Sequence, residues 1–299
     1  MSKTVKYIIV VIILLIGNLV LVFTDGFQKS ASFDDELFVI ENINEINAVL
    51  ISRRDERIEL IKEGPTWKLN SAFEADQNFL QVLFSILNQV KVKRAVGSLD
   101  EPPSGNVVIE LSSGEVATFD FALDALGTSS YFIQDGSTYQ VEVPGYRDNV
   151  VNIFQLTEDQ WRSRIVFDGS WRTIQRLNLT SQGQELTIRF VNQFFEVDGI
   201  SAIDSSGVVD YLNQFQLLQA NEMISKGRFP DLDSLVNSTP LAILTIDDIQ
   251  IDTATTFSIY PNLEGQTYQL VTKNNEVMMV FDRRRIQTLL KFKEDFRAN

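Results

Sequence analysis

The chain has 299 residues, of which 40 are acidic and 26 basic, and its net charge at pH 7 is −14. It contains no Cys and no His, which excludes disulfides, thiol nucleophiles, thiolate or imidazole metal ligands and a Ser-His-Asp triad. The acidic surplus disfavours binding to nucleic acid. Any catalysis would have to use carboxylates, Lys, Tyr or a Ser-Lys pair, and the composition predicts no cofactor.

The N-terminus has the pattern of a membrane anchor. Lys3 and Lys6 precede an uncharged apolar run, Tyr7–Phe23, which is at the short end of what spans a hydrocarbon core. The run is longer than the apolar core of a signal peptide, and Lys29-Ser30-Ala31 places a charge where a cleavage site needs a small residue. We therefore expect the span to remain uncleaved. The expected parts are a tail, the membrane span and a linker, at residues 1–6, 7–23 and 24–42.

Charges on either side of this run predict its orientation. No acid precedes the run, whereas Asp25, Asp34, Asp35 and Glu36 follow it against Lys29 alone. The positive-inside rule keeps the short tail in the cytoplasm and exports the C-terminal mass.

Two tandem repeats make up the exported part in our interpretation. Ile46–Val92 aligns without a gap with Ile174–Ala220, and the apolar pattern is kept, with Trp67 opposite Phe195. A second match joins Asp135–Val141 to Glu264–Leu270, followed by Phe154 opposite Phe281. The expected repeats cover residues 43–168 and 169–299.

The elements of the first repeat follow from its periodicity. Alternating apolar and polar residues predict strands. Asp76 is the expected N-cap of an amphipathic helix with apolar residues from Phe79 to Val90, and Thr157–Gln160 fits a capping box. In the second repeat, Ile286–Phe296 has one apolar helical face. The predicted strands are Ala48–Ser52, Ile58–Lys62, Trp67–Asn70, Val107–Leu111, Ala117–Phe121, Tyr131–Gln134, Tyr139–Val143 and Val150–Phe154. These elements predict an α+β fold with mostly antiparallel sheets.

Several motifs follow one another after the anchor: Trp67–Asn70, the helix start Ala75-Asp76, a helix ending in Val90–Val96, a Tyr-x-Val strand and Trp161–Arg164. In the order of these features the chain resembles the bacterial membrane-anchored proteins of "domain of unknown function 4340". The resemblance covers the anchor to about residue 230. It implies a place in the bacterial inner membrane, with the main domain on the periplasmic side, and a partner such as an ABC-type transporter or a gliding-motility complex. It supplies no catalytic residue.

Arg283, Arg284 and Arg285 are the candidate partner patch. They fall at the start of the last predicted helix, where three cations oppose the helix dipole. An unfavourable placement of this kind suggests a use beyond folding, and we expect all three side chains to be exposed.

The other polar clusters have ordinary structural interpretations. Asp247, Asp248 and Asp252 lack the Gly of a Ca²⁺ loop and alternate with Ile, so a solvated strand face is expected. Asp231 and Asp233 are expected in a turn or a helix cap. A basic and aromatic group is conceivable as a carbohydrate platform, but we expect buried Trp side chains with Arg side chains reaching solvent. This group contains Trp161, Arg162, Arg164, Trp171 and Arg172.

Three function classes remain open on these residues. The first is a non-catalytic, membrane-tethered accessory protein of an envelope transport or motility complex. The second is a binding module for a cell-wall glycan or small solute, which needs a concave pocket with aromatic side chains. The third is a carboxylate-based hydrolase, which needs two acids across a cleft.

The expected topology can be tested with protease. If residues 24–299 lie outside the cytoplasm, added protease digests them in intact spheroplasts, because only the short tail is protected. Immunoblotting of C-terminally tagged protein follows the loss. Full protection of the tag, or a mature N-terminus near Ser32, would refute the expectation.

Overall fold

The computed structural model describes residues 34–99 and 102–298. The predicted tail, the anchor Tyr7–Phe23 and the first part of the linker lie outside these residues. No helix in the described part is long and apolar enough to cross a membrane.

The protein has an α+β fold dominated by antiparallel sheets. The first sheet has nine strands in the hydrogen-bonded order β4-β3-β2-β1-β6-β7-β8-β9-β5. Helix α1, Gln77–Gln89, falls between β4 and β5 in the chain. The strands are β1 (Ile46–Arg53), β2 (Arg57–Glu63), β3 (Thr66–Leu69), β4 (Phe73–Glu74), β5 (Lys91–Val96), β6 (Gly105–Leu111), β7 (Val116–Leu123), β8 (Ser130–Gln134) and β9 (Ser137–Glu142).

A second sheet of eight strands follows in the chain, in the order β13-β12-β11-β16-β17-β18-β19-β15. A separate short pair joins β10 to β14. The strands are β10 (Ile165–Phe167), β11 (Ile174–Ser181), β12 (Gln184–Val191), β13 (Phe194–Val197), β14 (Leu218–Gln219), β15 (Glu222–Ile224), β16 (Ala242–Asp248), β17 (Thr255–Ile259), β18 (Tyr268–Lys273) and β19 (Val277–Asp282). The remaining helices are α2 (Glu158–Trp161), α3 (Ser205–Asn213), α4 (Pro230–Val236) and α5 (Arg283–Leu289).

The chain divides into two compact units. Within the described residues, the first unit contains 34–46, 52–54 and 83–154, and the second contains 47–51, 55–82 and 155–298. Backbone hydrogen bonds explain why 55–82 groups with the later residues. The amide of Asp76 donates to the carbonyl of Trp161, and that of Ser163 donates to the carbonyl of Glu74.

Aromatic side chains fill the core of the first unit. Phe119 and Phe132 stack with ring centroids 4.3 Å apart, and Phe38 meets Phe132 edge-on at 5.2 Å. Phe154 stacks on Phe121 at 5.3 Å. Offset and edge-on pairs of this kind add to the stabilisation from apolar burial.

In the second unit, helices α3 and α5 supply the apolar side chains that cover one sheet face. Val208 and Leu212 of α3 and Ile286 and Leu289 of α5 belong to one buried cluster with the inward residues of the strands. The hydroxyl of Tyr211 donates to the carbonyl of Leu289 at 2.8 Å. Burial raises the pKa of this phenol, so it stays a neutral donor.

Most elements predicted between residues 43 and 168 are confirmed, with ends that differ by at most two residues. Asp76 precedes α1 and accepts a hydrogen bond from the amide of Asn78 at 2.9 Å. The capping box at Thr157 is present, with both reciprocal hydrogen bonds to Gln160. The last helix is shorter than expected, because α5 ends at Leu289 and Lys293–Phe296 forms a separate 3₁₀ turn.

Two element predictions are wrong. Val150–Phe154 is not a strand but lies in a 3₁₀ segment, Val150–Gln155. Its buried residues include 150 and 153 as well as 151 and 154, a spacing of three that suits a 3₁₀ helix. Helix α1 ends at Gln89, and the residues from Lys91 to Val96 form strand β5, paired with β9. The expected helix ending in Val90–Val96 is therefore wrong.

The second sequence match does not join equivalent strands. Asp135-Gly136 forms the turn between β8 and β9, whereas Glu264-Gly265 lies in the connection that leads into β18. When the two sheets are aligned strand by strand, β9 matches β19, because each lies next to the edge strand, β5 or β15. Strand β18 matches β8 instead. The shared Gly-x-Thr-Tyr-Gln letters therefore reflect similar turn and strand chemistry.

Gly105 is a position in the first unit where any side chain would clash. A Cβ there would lie 2.6 Å from the Phe121 ring and 2.6 Å from the carbonyl oxygen of Ser52. We expect Gly105→Ala to lower the free energy of unfolding by about 1–3 kcal/mol, as overpacking does. Urea denaturation of the purified protein measures the change.

Gly97 provides the matched control, because a Cβ there has no neighbour within 4 Å and its φ is not positive. Gly97→Ala should leave the unfolding midpoint unchanged. Equal midpoints for both variants would contradict the packing described for Gly105.

Candidate functional site

A cleft lies beneath helix α4 in the second unit. Its volume is about 270 Å³, and its walls are mostly apolar. Two aromatic side chains at the cleft, Phe229 and Tyr268, are 40% and 48% exposed. The apolar lining includes Ile224, Leu232, Leu235, Leu263, Leu270 and Val280.

The sequence around α4 explains why this helix leaves space beneath it. Pro230 starts the helix, and its N-cap Phe229 has no side chain that can cap an amide. None of its side chains is fully buried. Leu232, Leu235 and Val236 only partly cover a small cluster in the sheet, so the helix is held by few apolar contacts.

Polar contacts hold the start of α4 instead. Gly227 has φ +91°, and its amide donates to the Asp233 carboxylate at 2.9 Å. Arg228 donates to Glu222 at 3.1 Å and to Asp159 at 2.9 Å. The segment before the helix is therefore tied to β15 and to α2.

The charges of the cleft favour a cationic group over an anionic one. Its lining contains the acids Glu222 and Asp231 and no basic side chain. Glu222 is paired with Arg228, whereas Asp231 forms no ion pair in the described chain. An apolar group next to a positive charge suits this arrangement.

Asp159 is the buried carboxylate on which these contacts converge. Its side chain is 4% exposed. It accepts hydrogen bonds from the Ser225 hydroxyl at 2.6 Å and from the Ser225 amide at 3.1 Å, in addition to the one from Arg228. The Nη1 atom of Arg162 lies 3.5 Å from Oδ1, the oxygen that accepts from the Ser225 hydroxyl. One carboxylate thus connects α2, the end of β15 and the start of α4.

The residues of the predicted aromatic and basic group do not form one exposed surface in the structure. Trp161 is fully buried, as predicted, but Trp171 is 37% exposed and stacks with Arg172 at 5.2 Å. The two Trp side chains therefore do not form a common exposed platform. Arg164 is part-exposed and pairs with Asp76 at 3.4 Å.

Arg162 contradicts the expectation that its side chain reaches solvent. It is 5% exposed, and its guanidinium lies 3.8 Å from the centroid of the Phe73 ring. The physical reason is the partnership with Asp159, which is buried beside it and one helical turn earlier in the chain.

Two of the three arginines in the candidate partner patch are exposed. Arg283 and Arg284 are exposed at the start of α5 as expected, with Asp282 as the N-cap. Arg285 is only part-exposed, and its guanidinium donates to the carbonyl of Gln214, the C-cap of α3. A cation at that position satisfies a free carbonyl and complements the α3 dipole.

The acidic residues do not form a metal centre in the described part of the chain, where no group of three possible ligands comes together. Asp247 is part-exposed on β16, but Asp248 is buried and accepts from the Gln250 amide at 2.9 Å, so the expected solvated face is wrong for Asp248. Strand β16 ends at this residue, and Asp252 follows in the turn. Asp231 and Asp233 are expected in a turn or a helix cap, but both lie inside α4, in its first turn, and the N-cap is Phe229.

Sequence reasoning missed the residues that build the cleft. The available signal was the segment Gly227-Arg228-Phe229-Pro230, which places an aromatic residue between a turn glycine and a helix-starting proline. Its partners Asp159 and Tyr268 come from distant parts of the chain, so no local pattern could identify them. Comparison with protein-family models, curated proteins and solved structures finds no match for this chain.

The roles of the three arginines can be separated by substitution. Arg285→Ala should lower the free energy of unfolding by about 1–2 kcal/mol, because it removes a charged hydrogen bond from a helix-end carbonyl. The double variant Arg283→Ala and Arg284→Ala should stay within about 0.5 kcal/mol of the wild type, as exposed changes do. Urea denaturation curves compare the variants, and equal losses would contradict the division into one structural and two exposed arginines.

Proposed function

We propose that this protein is a non-catalytic interaction protein, anchored in the bacterial inner membrane with its main domain on the periplasmic side. Its partner is a membrane protein complex. The charge pattern around Tyr7–Phe23 supports the location. The resemblance to the "domain of unknown function 4340" proteins supports an ABC-type transporter or a motility complex as the partner, which is an argument by analogy.

The observation that carries the interaction role is the cleft beneath α4. Ligand sites for small molecules usually enclose about 300–1,000 Å³, and this cleft has a volume of about 270 Å³. That size suits one or two large apolar side chains of a partner segment. Exposed Phe229 and Tyr268 are the kind of aromatic residue that dominates binding at protein interfaces.

Charge complementarity specifies the partner segment further. The cleft carries acidic and no basic side chains, and the whole chain has a net charge of −14. A large apolar residue next to a Lys or Arg would place its cation near Asp231 and the Tyr268 ring, because the Arg228 guanidinium already lies 5.0 Å from the centroid of the Phe229 ring. We therefore propose a basic-apolar segment of the partner as the occupant.

The two other function classes fit the cleft less well. A glycan needs several convergent polar groups, and the lining is mostly apolar. A carboxylate hydrolase needs two acids that act together across a cleft, but one of the two acids in this lining, Glu222, is held by Arg228 at 3.1 Å, which leaves Asp231 alone.

We further propose that the main domain arose by duplication. In the first sheet β1, β2, β3 and the short β4 lead in chain order to one edge, and in the second sheet β11, β12 and β13 do the same. Strand β5, which follows α1, and strand β15, which comes after α3 and β14, lie at the opposite edges. Trp67 and Phe195 occupy corresponding strands and are both buried, at 7% and 9% exposure. Leu83 of α1 and Tyr211 of α3 are likewise both buried. A gapless alignment of the two segments agrees with this strand order.

The cleft is tested by crosslinking in native membranes. The double variant Phe229→Ala and Tyr268→Ala should abolish most recovery of a crosslinked membrane-protein partner, because it removes the two exposed aromatic contacts. Mass spectrometry of the crosslinked product from intact cells measures the recovery.

Phe194→Ala is the control, because this phenylalanine is 73% exposed and does not line the cleft. It should leave the crosslinked product unchanged. If both variants recover the same partner equally well, the cleft is not the interaction site. If the wild type recovers no membrane protein, the proposed function itself fails.

A further inference from the structure

A second cavity in the same unit shares no lining residue with the cleft. Its volume is about 330 Å³, and it opens to solvent. Strand β4, the segment between α2 and β10, and strands β10, β15, β18 and β19 contribute to its walls. The residues that matter below are Phe73, Glu74, Arg162, Met223, Lys273 and Val277.

Arg162 brings an incompletely neutralised charge to this cavity. Its side chain is 6% exposed, and its Nη1 lies 3.5 Å from the Asp159 carboxylate. That carboxylate is approached more closely by Arg228 and by the Ser225 hydroxyl, at 2.9 and 2.6 Å. The Nε of Arg162 has no hydrogen-bond partner among the described residues. Burial lowers the pKa of this guanidinium, which reflects the cost of holding its charge there.

Lys273 brings a second cation to the same walls. Its ammonium donates to the carbonyl of Val166 at 2.8 Å, and it forms no ion pair within the described ranges. Burial also lowers the pKa of Lys273, against a smaller opposing effect of Glu74. Glu74 itself is 60% exposed on its side chain and lies 3.6 Å from Lys68.

One buried cation, Arg162, and one part-buried cation, Lys273, thus line one cavity of an otherwise acidic protein, and no carboxylate among the described residues pairs with both. A charge taken out of water with an incomplete set of partners is unfavourable, and an anion in the cavity would lower that penalty. The other residues that line the cavity indicate which kind of anion it would bind. Phe73, Met223 and Val277 are apolar, and Glu74 repels a multiply charged ligand such as phosphate.

We propose that this cavity binds a small organic monocarboxylate. Its carboxylate lies between Lys273 and Arg162, and its apolar body lies against Phe73, Met223 and Val277. Charge-assisted hydrogen bonds from Lys and Arg to a carboxylate are among the stronger polar contacts in proteins. This site is independent of the proposed partner cleft, since the two share no lining residue.

Isothermal titration of the full-length protein with isovalerate tests the proposal, with the neutral isovaleramide as the matched ligand. Isovalerate should bind with a Kd in about the millimolar range, as expected for so small a ligand, and the amide at least about tenfold more weakly. Lys273→Met should weaken isovalerate binding at least about tenfold. Lys93→Met should not change it, because Lys93 is exposed and paired with Glu142.

Glu74→Gln gives a second test that does not depend on the stability of Lys273→Met, because this carboxylate is exposed. Removing the repelling acid should tighten isovalerate binding about two- to fivefold. Equal binding of acid and amide, no change in Lys273→Met, or weaker binding in Glu74→Gln would each overturn the proposal. Tighter binding of inorganic phosphate than of isovalerate would also overturn it, since the cavity would then select phosphate and not a monocarboxylate.

Discussion

The buried carboxylate of Asp159 is the constraint on which the second unit depends. It accepts hydrogen bonds from Ser225 and Arg228 and lies beside the buried guanidinium of Arg162. Removing one partner of a buried pair typically costs about 3–5 kcal/mol, because the other charge stays buried and unpaired. Arg228 leads into the helix over the cleft, and Arg162 lines the second cavity. A single carboxylate therefore fixes the shape of one site and the charge of the other.

Helix α4 has properties of a locally unstable element. It is seven residues long, lacks a side-chain N-cap and has no fully buried side chain. Segments with few buried apolar contacts open with a lower free energy than the core does. The polar ties at Arg228 and Gly227 thus decide where the helix lies. A partner segment that enters the cleft would need to displace little apolar packing, which suits a reversible interaction.

Local sequence patterns predict most strands of the first sheet but not the residues of the cleft and the second cavity. Strand patterns are local, whereas these two sites are built by residues that are far apart in the chain. Apolar and polar residues alternate along β1, β2 and β3, and this alternation predicts which side chains are buried on one face of the sheet. The pattern is visible within each short segment, without knowledge of its neighbours. The strand predicted at Val150–Phe154 is wrong because the apolar residues of this segment fit two patterns equally well. They fit a strand, and their spacing of three also fits a 3₁₀ helix. The burial of Arg162 and the exposure of Trp171 depend on tertiary partners such as Phe73. Asp159 gave no sequence signal beyond its place in a capping box, because its partners are remote in the chain.

Hydrogen exchange of Asp159→Asn, measured by mass spectrometry, tests the central role of this carboxylate most directly. The substitution keeps the side-chain size but removes the charge that holds Arg228 and Arg162. Peptides covering residues 225–236 should exchange at least about tenfold faster than in the wild type, because the tie at the start of α4 is lost. Asp204→Asn removes the charge of the α3 N-cap outside this network and should leave those peptides unchanged. Unaltered protection of residues 225–236 in Asp159→Asn would contradict the account.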